Sequence, residues 1–402
     1  MQTRGAVLVS GAGVAGTTVA HWLHHHGWDV TVVERAPSLR ATGQNIDVRG
    51  AGREVIRRMG LEERIARSGT GEVGTRFVDR SGRAVAEFPA GSGDTAGATA
   101  EVEILRGQLV ATLDELVEGR VEHVYGDSIT EVTQDDAGVD VTFEHASPRH
   151  FDLLVVAEGI RSRTRELIFG AEARIRDLGQ YVAYGAIPRT ADDDDWWRWM
   201  VAGRGRAVML RPDNVGTTRA SLAFLGPLEG LERLEPARQI ERLREVFADI
   251  VWQAPRILDS LAADHGDFYL DRVAQMYAPA WSRGRIALVG DAAYCASPIS
   301  GMGTSLALTG AYVLAGELSA RPEHGAALSS YEALMRPYVR KAQQLPPGAP
   351  RIANPFSRHG VAAFTTGLRL AASRPGRVLG GRLFTPPADE IALPAYAVPE
   401  RA

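Results

Sequence analysis

Gly11, Gly13 and Gly16 follow the apolar run Ala6-Val7-Leu8-Val9, and Glu34 ends the next apolar run, residues 29–33. Glycines at that spacing, between a strand and a helix, suit an anionic dinucleotide. Gly11 permits a tight turn, Gly13 lets a pyrophosphate approach the backbone, and Gly16 lets the helix pack close to the sheet. The helix start at Val14 and Ala15 offers free N–H groups and a partial positive charge to phosphates. Glu34, with Arg35 beside it, stands where a ribose is held, and its carboxylate can accept both hydroxyls. A negative charge there disfavours a 2′-phosphate, which leaves FAD or NAD(H) rather than NADP(H). The spacing alone also fits a structural turn. The strand before it, the helix after it and the acid beyond make it a nucleotide fingerprint.

A second constellation lies late in the chain. Arg285-Ile286-Ala287-Leu288-Val289 reads as a buried strand running into Gly290-Asp291-Ala292-Ala293, then Pro298, Gly301, Met302, Gly303 and an apolar helix from Thr304. This sets an acid at a strand end, then a turn with exposed backbone, then a helix N-terminus. Such a helix start stabilises negative charge developing on a ligand. A plain strand–turn–helix is the alternative. Between the two constellations lies Asp152-Leu153-Leu154-Val155-Val156-Ala157-Glu158-Gly159, followed by Ser162 and Arg165.

Trp196-Trp197-Arg198-Trp199-Met200 reads as a strand. At period two Trp196, Arg198 and Met200 share one face, and Trp197 and Trp199 the other. A flat cavity with Trp, Met and one Arg suits an aromatic or polycyclic molecule bearing an enol or phenolate oxygen. Trp197 and Trp199 fit a domain core or an interface equally well. Other reactive side chains read as structural. His24-His25-His26 point different ways on a helix and form no metal site, and no metal is expected. The four aspartates 192–195 read as a solvated turn, and Cys295, without a base partner, reads as packing. No Ser/His or Cys/His nucleophile is arranged.

These residues need a scaffold to position them. The opening βαβ pattern demands a parallel sheet. Strand-like runs recur at 73–78, 85–88, 121–125, 139–143 and 153–157; residues 180–225 are strand-rich and punctuated by turns. A helix is predicted at 236–247, a strand at 268–276, an apolar helix at 304–318 and a more polar one at 329–344. The pattern predicts an α/β chain with a discontinuous nucleotide-binding domain (1–72, 101–172 and 280–320). A substrate domain built on an antiparallel sheet is inserted (73–100 and 173–279), and a helical region, 321–402, ends the chain.

Composition narrows the functions. The chain has 402 residues, 45% of them hydrophobic and 23% charged, enough for two or three domains at about 150 residues each. A formal net charge of −4 gives no electrostatic case for nucleic acid. One cysteine excludes an internal disulfide framework and fits a reducing cytoplasm. No apolar run is long enough for a spanning helix, and the N-terminus lacks the order of a signal peptide. Arg369, Arg374, Arg377 and Arg382 bias the tail positively, as a solvated helix or a contact for an anionic partner.

Gly290-Asp291 and the turn after it resemble the second FAD motif of the flavoprotein aromatic hydroxylases, the group A flavin monooxygenases. The matches run from residue 6 to about residue 345. The resemblance implies a Rossmann-like FAD-binding domain of the glutathione reductase (GR2) type with an inserted β-sheet substrate domain, as in p-hydroxybenzoate hydroxylase. It implies that Asp291 binds a ribityl hydroxyl, that Pro298, Gly301, Met302 and Gly303 border the flavin, and that Arg106 reaches FAD. Residues 152–159 resemble the family's Asp-Gly motif, which touches FAD and the nicotinamide cofactor, but Glu158 replaces the Asp. Gly43-Gln44-Asn45-Ile46-Asp47-Val48 is similar to the flavin-contacting loop of the tetracycline-inactivating branch, which places Asp47, and Arg40 upstream, at the cofactor. The same branch implies a substrate cavity with Arg198 and Tyr184, beside Trp196 and Met200.

The activity implied is hydroxylation of an aromatic or polyketide-like small molecule. NADPH or NADH reduces FAD transiently, O2 adds at flavin C4a, and the peroxide oxygen is transferred. The protein is expected to be a monomer or weak homo-oligomer. Rival readings are a flavoenzyme of the same fold performing Baeyer–Villiger, epoxidation or dehydrogenation chemistry, a non-redox FAD-binding protein, and a plain NAD dehydrogenase.

Overall fold

The computed structural model describes residues 4–39, 43–90, 103–227, 230–373 and 388–397. The opening βαβ unit forms as the pattern predicts: strand Ala6–Ser10, helix Val14–His25, strand Asp29–Glu34. Around it grows a six-stranded sheet in the order Ser282–Arg283, Ile286–Leu288, Leu153–Val156, Ala6–Ser10, Asp29–Glu34, Glu122–Tyr125. All neighbours pair in parallel except the short Ser282–Arg283 edge. Val7, Leu8, Val9 and Leu153 to Val156 are almost wholly buried, which is why these strands read as continuous apolar runs.

The register has a functional consequence. Val33, Ser10, Val156 and Leu288 stand side by side, so four strands end along one edge. The residues that follow them, Glu34, Gly11, Glu158 and Asp291, gather there, where open parallel sheets bind ligands. Helix Gly303–Ala320 starts at the same edge. Every residue from Ser305 to Leu318 is buried, and the helix packs against Val14–His25, Gly50–Arg58 and His324–Gln343. An all-round apolar sequence belongs at such a central position.

The second large sheet has seven strands, in the order Tyr269–Tyr277, Arg174–Pro188, Thr217–Leu225, Arg206–Pro212, Trp197–Gly203, Gly74–Val78, Ala84–Pro89. It departs from the antiparallel expectation at one pair, Trp197–Gly203 with Gly74–Val78, which is parallel. The hairpin Gly74–Pro89 comes from much earlier in the chain and joins as a unit, so no tight turn forces its direction. Helices Pro236–Phe247 and Ala254–Ala263 cover one face, where Met200, Leu210, Leu222, Ile240, Leu243 and Ile257 form one core. A three-stranded sheet (Ile129–Gln134, Val139–Phe143, Arg149–Phe151), the pair Asn45–Asp47 with Glu103–Leu105, and helix Arg358–Ala372 complete the described elements relevant to the site. Among the described residues no helix is long and apolar enough to cross a membrane.

The segment 388–397 clamps helix Gly50–Arg58, which follows the Asp47 strand. The Ala388 carbonyl accepts from the Ala51 N–H (3.0 Å) and the Tyr338 hydroxyl (3.0 Å). The Pro394 carbonyl accepts from Arg58 (2.7 Å) and the Tyr312 hydroxyl (2.8 Å).

The first helix carries a pH response. Burial, reinforced by neighbouring His25, holds His21 and His26 down at about 4. Both are neutral in the fold, whereas in the unfolded chain they protonate near 6.5. Their contribution is therefore complete above pH 6.5 and is lost as the pH falls toward 4. Urea unfolding should show stability declining between pH 6.5 and 4.5. On the order of 2 kcal/mol of that decline should vanish in His26→Gln. An unchanged slope in the variant would refute the assignment.

Candidate active site

At the fingerprint turn the three glycines do different things. Gly11 holds φ +105°, its N–H donates to the Val33 carbonyl (2.7 Å), and a Cβ on it would lie 2.7 Å from the Ala157 carbonyl oxygen. A Cβ on Gly16 would overlap the Gly11 carbonyl. Both are required by the protein's own packing. Gly13 has an ordinary φ of −82°, caps helix Val14–His25 without a side-chain hydrogen bond, and has open space where a Cβ would point. Room kept clear at a helix N-terminus fits a phosphate. The Glu34 carboxylate accepts from the Ala12 N–H (2.9 Å) and the Ala36 N–H (2.8 Å), which fixes it beside the turn. Val14 is half-buried, Ala15 is buried and Arg35 is exposed.

The second constellation lies beside this turn. Gly290 holds φ +65°, and a Cβ on it would sit 2.7 Å from the Ala15 Cβ, so the two constellations touch. Asp291 is exposed, yet burial within the surrounding protein pushes its carboxyl up, against the hydrogen bond from Cys295 and the charge of Arg106. Tyr269 is 40% exposed, yet burial, opposed by Arg106, leaves its phenol pushed up to about 12. Groups that reach water while feeling a low dielectric line the wall of a cleft. Arg106 itself is exposed, opens helix Arg106–Asp114, and lies against Gly43, whose Cβ would meet its Nε at 2.9 Å. Gly301 and Gly303 have open space and Pro298 is exposed, whereas Met302 is wholly buried, so only its backbone can face the cleft.

Asp47 pairs with Arg49 (3.0 Å), and among the described residues its Oδ1 is buried without a hydrogen-bond partner. The backbone of Arg49 exchanges two hydrogen bonds with the Ser305 hydroxyl, both 3.0 Å, which ties this loop to the central helix. Arg40 lies outside the described residues. A clear phosphate turn, an acid fixed at a strand end, an orphaned acceptor on Asp47 and the open space at Gly301 and Gly303 together fit a dinucleotide that continues into a ring system.

Glu158 explains its own departure from the family's Asp. Its carboxylate accepts from the hydroxyls of Ser10, Thr164 (2.5 Å) and Ser162 (2.7 Å) and from the Thr164 N–H (3.1 Å). The extra methylene lets it reach Ser10 at the end of the first strand while still holding the Ser162–Thr164 turn. Arg165, 1% exposed, donates to the carbonyls of Ala292 (3.2 Å) and Ile160 (2.8 Å), so it locks that turn to the residues after Asp291.

The substrate side corrects the sequence reading in one respect. Trp196, Arg198 and Met200 do share a face, but it is the helix-covered one. Met200 is 1% exposed within that core. Arg198 pairs with Asp193, which also takes Arg256 from helix Ala254–Ala263. Trp196 lies under the Arg76 guanidinium (4.5 Å) and against Gly74. The aspartates 192–195 are accordingly not a plain solvated turn, because Asp193 is buried among two arginines, Thr190 and Thr218. The other face carries Tyr184, Trp199, Met209 and Trp197, and it is this face that holds Tyr269. Parity along the strand was legible; a one-residue slip in assigning the faces exchanges them.

Residues without a sequence signal complete the wall. Arg211 stacks on Trp197 (4.2 Å) and pairs with Glu72 (2.8 Å) and Glu103 (2.7 Å). Burial works against its charge, but the two carboxylates outweigh it and raise its pKa. Arg161 and Asp271 pair at 2.5 Å and join the two large parts of the protein.

Residues 4–345 match the FAD binding domain family. The chain is 36% identical to the FAD-dependent monooxygenase asL6 of Sarocladium schorii, over 85% of this chain and 86% of that one. It is also 36% identical to the flavin-dependent monooxygenase eupH of Phoma sp, over 96% and 95%. Among solved structures the tetracycline destructase Tet(51) superposes with a TM-score of 0.81 at 29% identity, covering 99% of this chain and 100% of that one. With the nucleotide turn, the Asp291 edge and the cleft in place, the chain belongs to the group A flavoprotein monooxygenases, and it is an FAD-dependent monooxygenase.

Proposed function

We propose that the protein uses NADPH or NADH and O2 to hydroxylate an aromatic or polycyclic, polyketide-like small molecule. One observation carries the reading: the strand Tyr269–Tyr277, on which helix Asp291–Tyr294 packs, belongs to an aromatic sheet face bearing Tyr184, Tyr269, Trp197 and Trp199. FAD, when bound, would supply the redox chemistry: two electrons from the nicotinamide, one oxygen atom of O2 to the substrate and the other to water. The chain's residues hold it. Gly13, with the N–H groups of Val14 and Ala15, takes the pyrophosphate, and Gly11 and Gly16 shape that turn. Glu34 takes a ribose, with Arg35 at the rim. Asp291, Arg106 and Asp47, with the backbone of Pro298, Gly301, Met302 and Gly303, surround the remainder. The aromatic face positions the substrate and keeps water from the reacting atoms. The name of the tetracycline destructase supports a small, oxygen-rich substrate. A single, buried Cys295 supports a reducing, cytoplasmic setting.

The visible spectrum of the purified protein, followed anaerobically during NADPH addition, tests this. The expected protein is yellow or becomes so with FAD, and its flavin band bleaches with NADPH, faster in the presence of a polycyclic phenol. A protein that cannot be loaded with FAD, or whose flavin never bleaches with either nicotinamide, would overturn the reading.

A further inference from the structure

The cleft face of the seven-stranded sheet is polarised. Register sets Phe77, Trp199, Met209, Ser221, Tyr184 and Tyr269 opposite one another on six consecutive strands. Five strand spacings give a row of roughly 24 Å. One end is apolar: the rings of Phe77 and Trp199 stack at 5.5 Å, beside Met209. The other end is hydroxylic: Ser221, then Tyr184 and Tyr269 stacked at 4.8 Å. The hydroxylic end lies on the strand Tyr269–Tyr277, against which helix Asp291–Tyr294 packs, and Arg106 acts on Tyr269 and Asp291 alike. Neither phenol hydroxyl meets a hydrogen-bond partner among the described residues. Burial keeps both phenols protonated, so both are donors at any working pH.

We propose that Tyr184 and Tyr269 are a substrate-orienting pair whose hydroxyls donate to ring oxygens of a flat, fused-ring substrate, with the substrate's apolar end along Met209, Trp199 and Phe77. This rests on the hydroxylase reading and deepens it. The substrate class is a fused aromatic with carbonyl, enol or phenol oxygens on one end ring. That oxygenated ring is the one presented beside Asp291. Two neutral donors, rather than a cation, suit a substrate whose oxygens share their charge with the ring. The stacked phenols also present a flat surface, so they hold the ring plane as well as its oxygens. Trp196, Arg198 and Met200 take no part, since they lie on the opposite face.

The FAD-loaded protein is titrated with tetracycline, with 1,8-dihydroxyanthraquinone and with pyrene, a fused-ring probe without oxygen. Quenching of tryptophan emission reports binding, because Trp199 belongs to the row. Tyr184→Phe and Tyr269→Phe keep the rings and remove one donor each. Each should weaken the two oxygenated probes about fivefold, and together about 20-fold or more, with pyrene unchanged. Met209→Ala should weaken all three probes. The pair is refuted if the double variant binds the oxygenated probes as wild type does, if pyrene weakens equally, or if no oxygenated probe binds wild type. NADPH oxidation is measured on the same samples. Selective binding loss with no NADPH oxidation sinks the hydroxylase reading and leaves the orienting pair; NADPH oxidation with no binding loss does the reverse.

Discussion

Gly13→Ala should leave the cofactor-free protein as stable as wild type and cost it FAD, whereas Gly16→Ala should destabilise the protein itself. At Gly13 the φ of −82° accepts alanine, and the added methyl meets nothing within 4 Å. Alanine is a slightly poorer helix cap than glycine but stiffens the unfolded chain, so the net change in stability is within about 1 kcal/mol. The methyl fills the space a pyrophosphate needs, and FAD affinity should fall by about 100-fold or more, roughly 3 kcal/mol. At Gly16 the methyl overlaps the Gly11 carbonyl, a backbone atom held in place by the Gly11–Val33 hydrogen bond. Helix Val14–His25 must then lift from the sheet and disturb Val19, Ala20 and Leu23, all fully buried. Overpacking against backbone of this kind should cost about 3 kcal/mol or more. Thermal melts without FAD, and flavin-fluorescence titrations with it, separate the two. A Gly13→Ala protein that binds FAD normally would remove the phosphate from this turn.

The difference between these glycines marks how far the sequence could be read. The strands at Ala6–Ser10, Asp29–Glu34 and Leu153–Val156 were legible because their central residues are buried on both faces and almost all apolar. Helix Pro236–Phe247 was legible to the residue, with proline at its start and Ile240, Leu243 and Phe247 on one stripe. Strand Ile129–Gln134 was not, because most of it is exposed and no alternation survives. Asn45–Asp47 and Glu103–Leu105 are three residues each, too short for any periodicity. Helix Arg358–Ala372 falls within the helical region expected over 321–402; none of its residues is buried, and Phe364 on its apolar stripe meets Phe77 edge-on. At the site, the positions of Glu34 and Asp291 could be read because each follows a buried strand. That of Tyr269 could not, because it depends on the register that sets it against Tyr184. The faces of residues 196–200 were decided by the strand Gly74–Val78, which arrives from over a hundred residues earlier. Asp193 looked solvated because only the fold brings Arg198 and Arg256 to it.

Glu158 is where reading by analogy and reading by contact separate most, and its removal should have the other large effect. Glu158→Ala leaves three hydroxyls and one N–H without their acceptor. Ser10, Ser162 and Thr164 are 3%, 0% and 1% exposed, so water cannot replace it freely. Donors stranded in this way cost about 1–3 kcal/mol each when nothing relaxes, and local relaxation brings the expected loss to about 3–5 kcal/mol. Glu158→Asp keeps the charge but is too short to span from Ser10 to the Ser162–Thr164 turn, so a loss of about 1–2 kcal/mol is expected. Ser10 precedes Gly11 directly, so slack there loosens the phosphate turn, and both variants should also release FAD more readily. A carboxylate offers about four acceptor positions, and all four are filled from within the protein. Glu158 therefore has none to spare for a reductant. Urea unfolding, paired with the KM for NADPH of FAD-loaded Glu158→Asp, decides the matter. The expected result is a lowered midpoint with KM within about twofold of wild type. An unchanged midpoint with KM raised tenfold would show instead that the carboxylate holds the nicotinamide and that its four internal bonds give way when the reductant arrives.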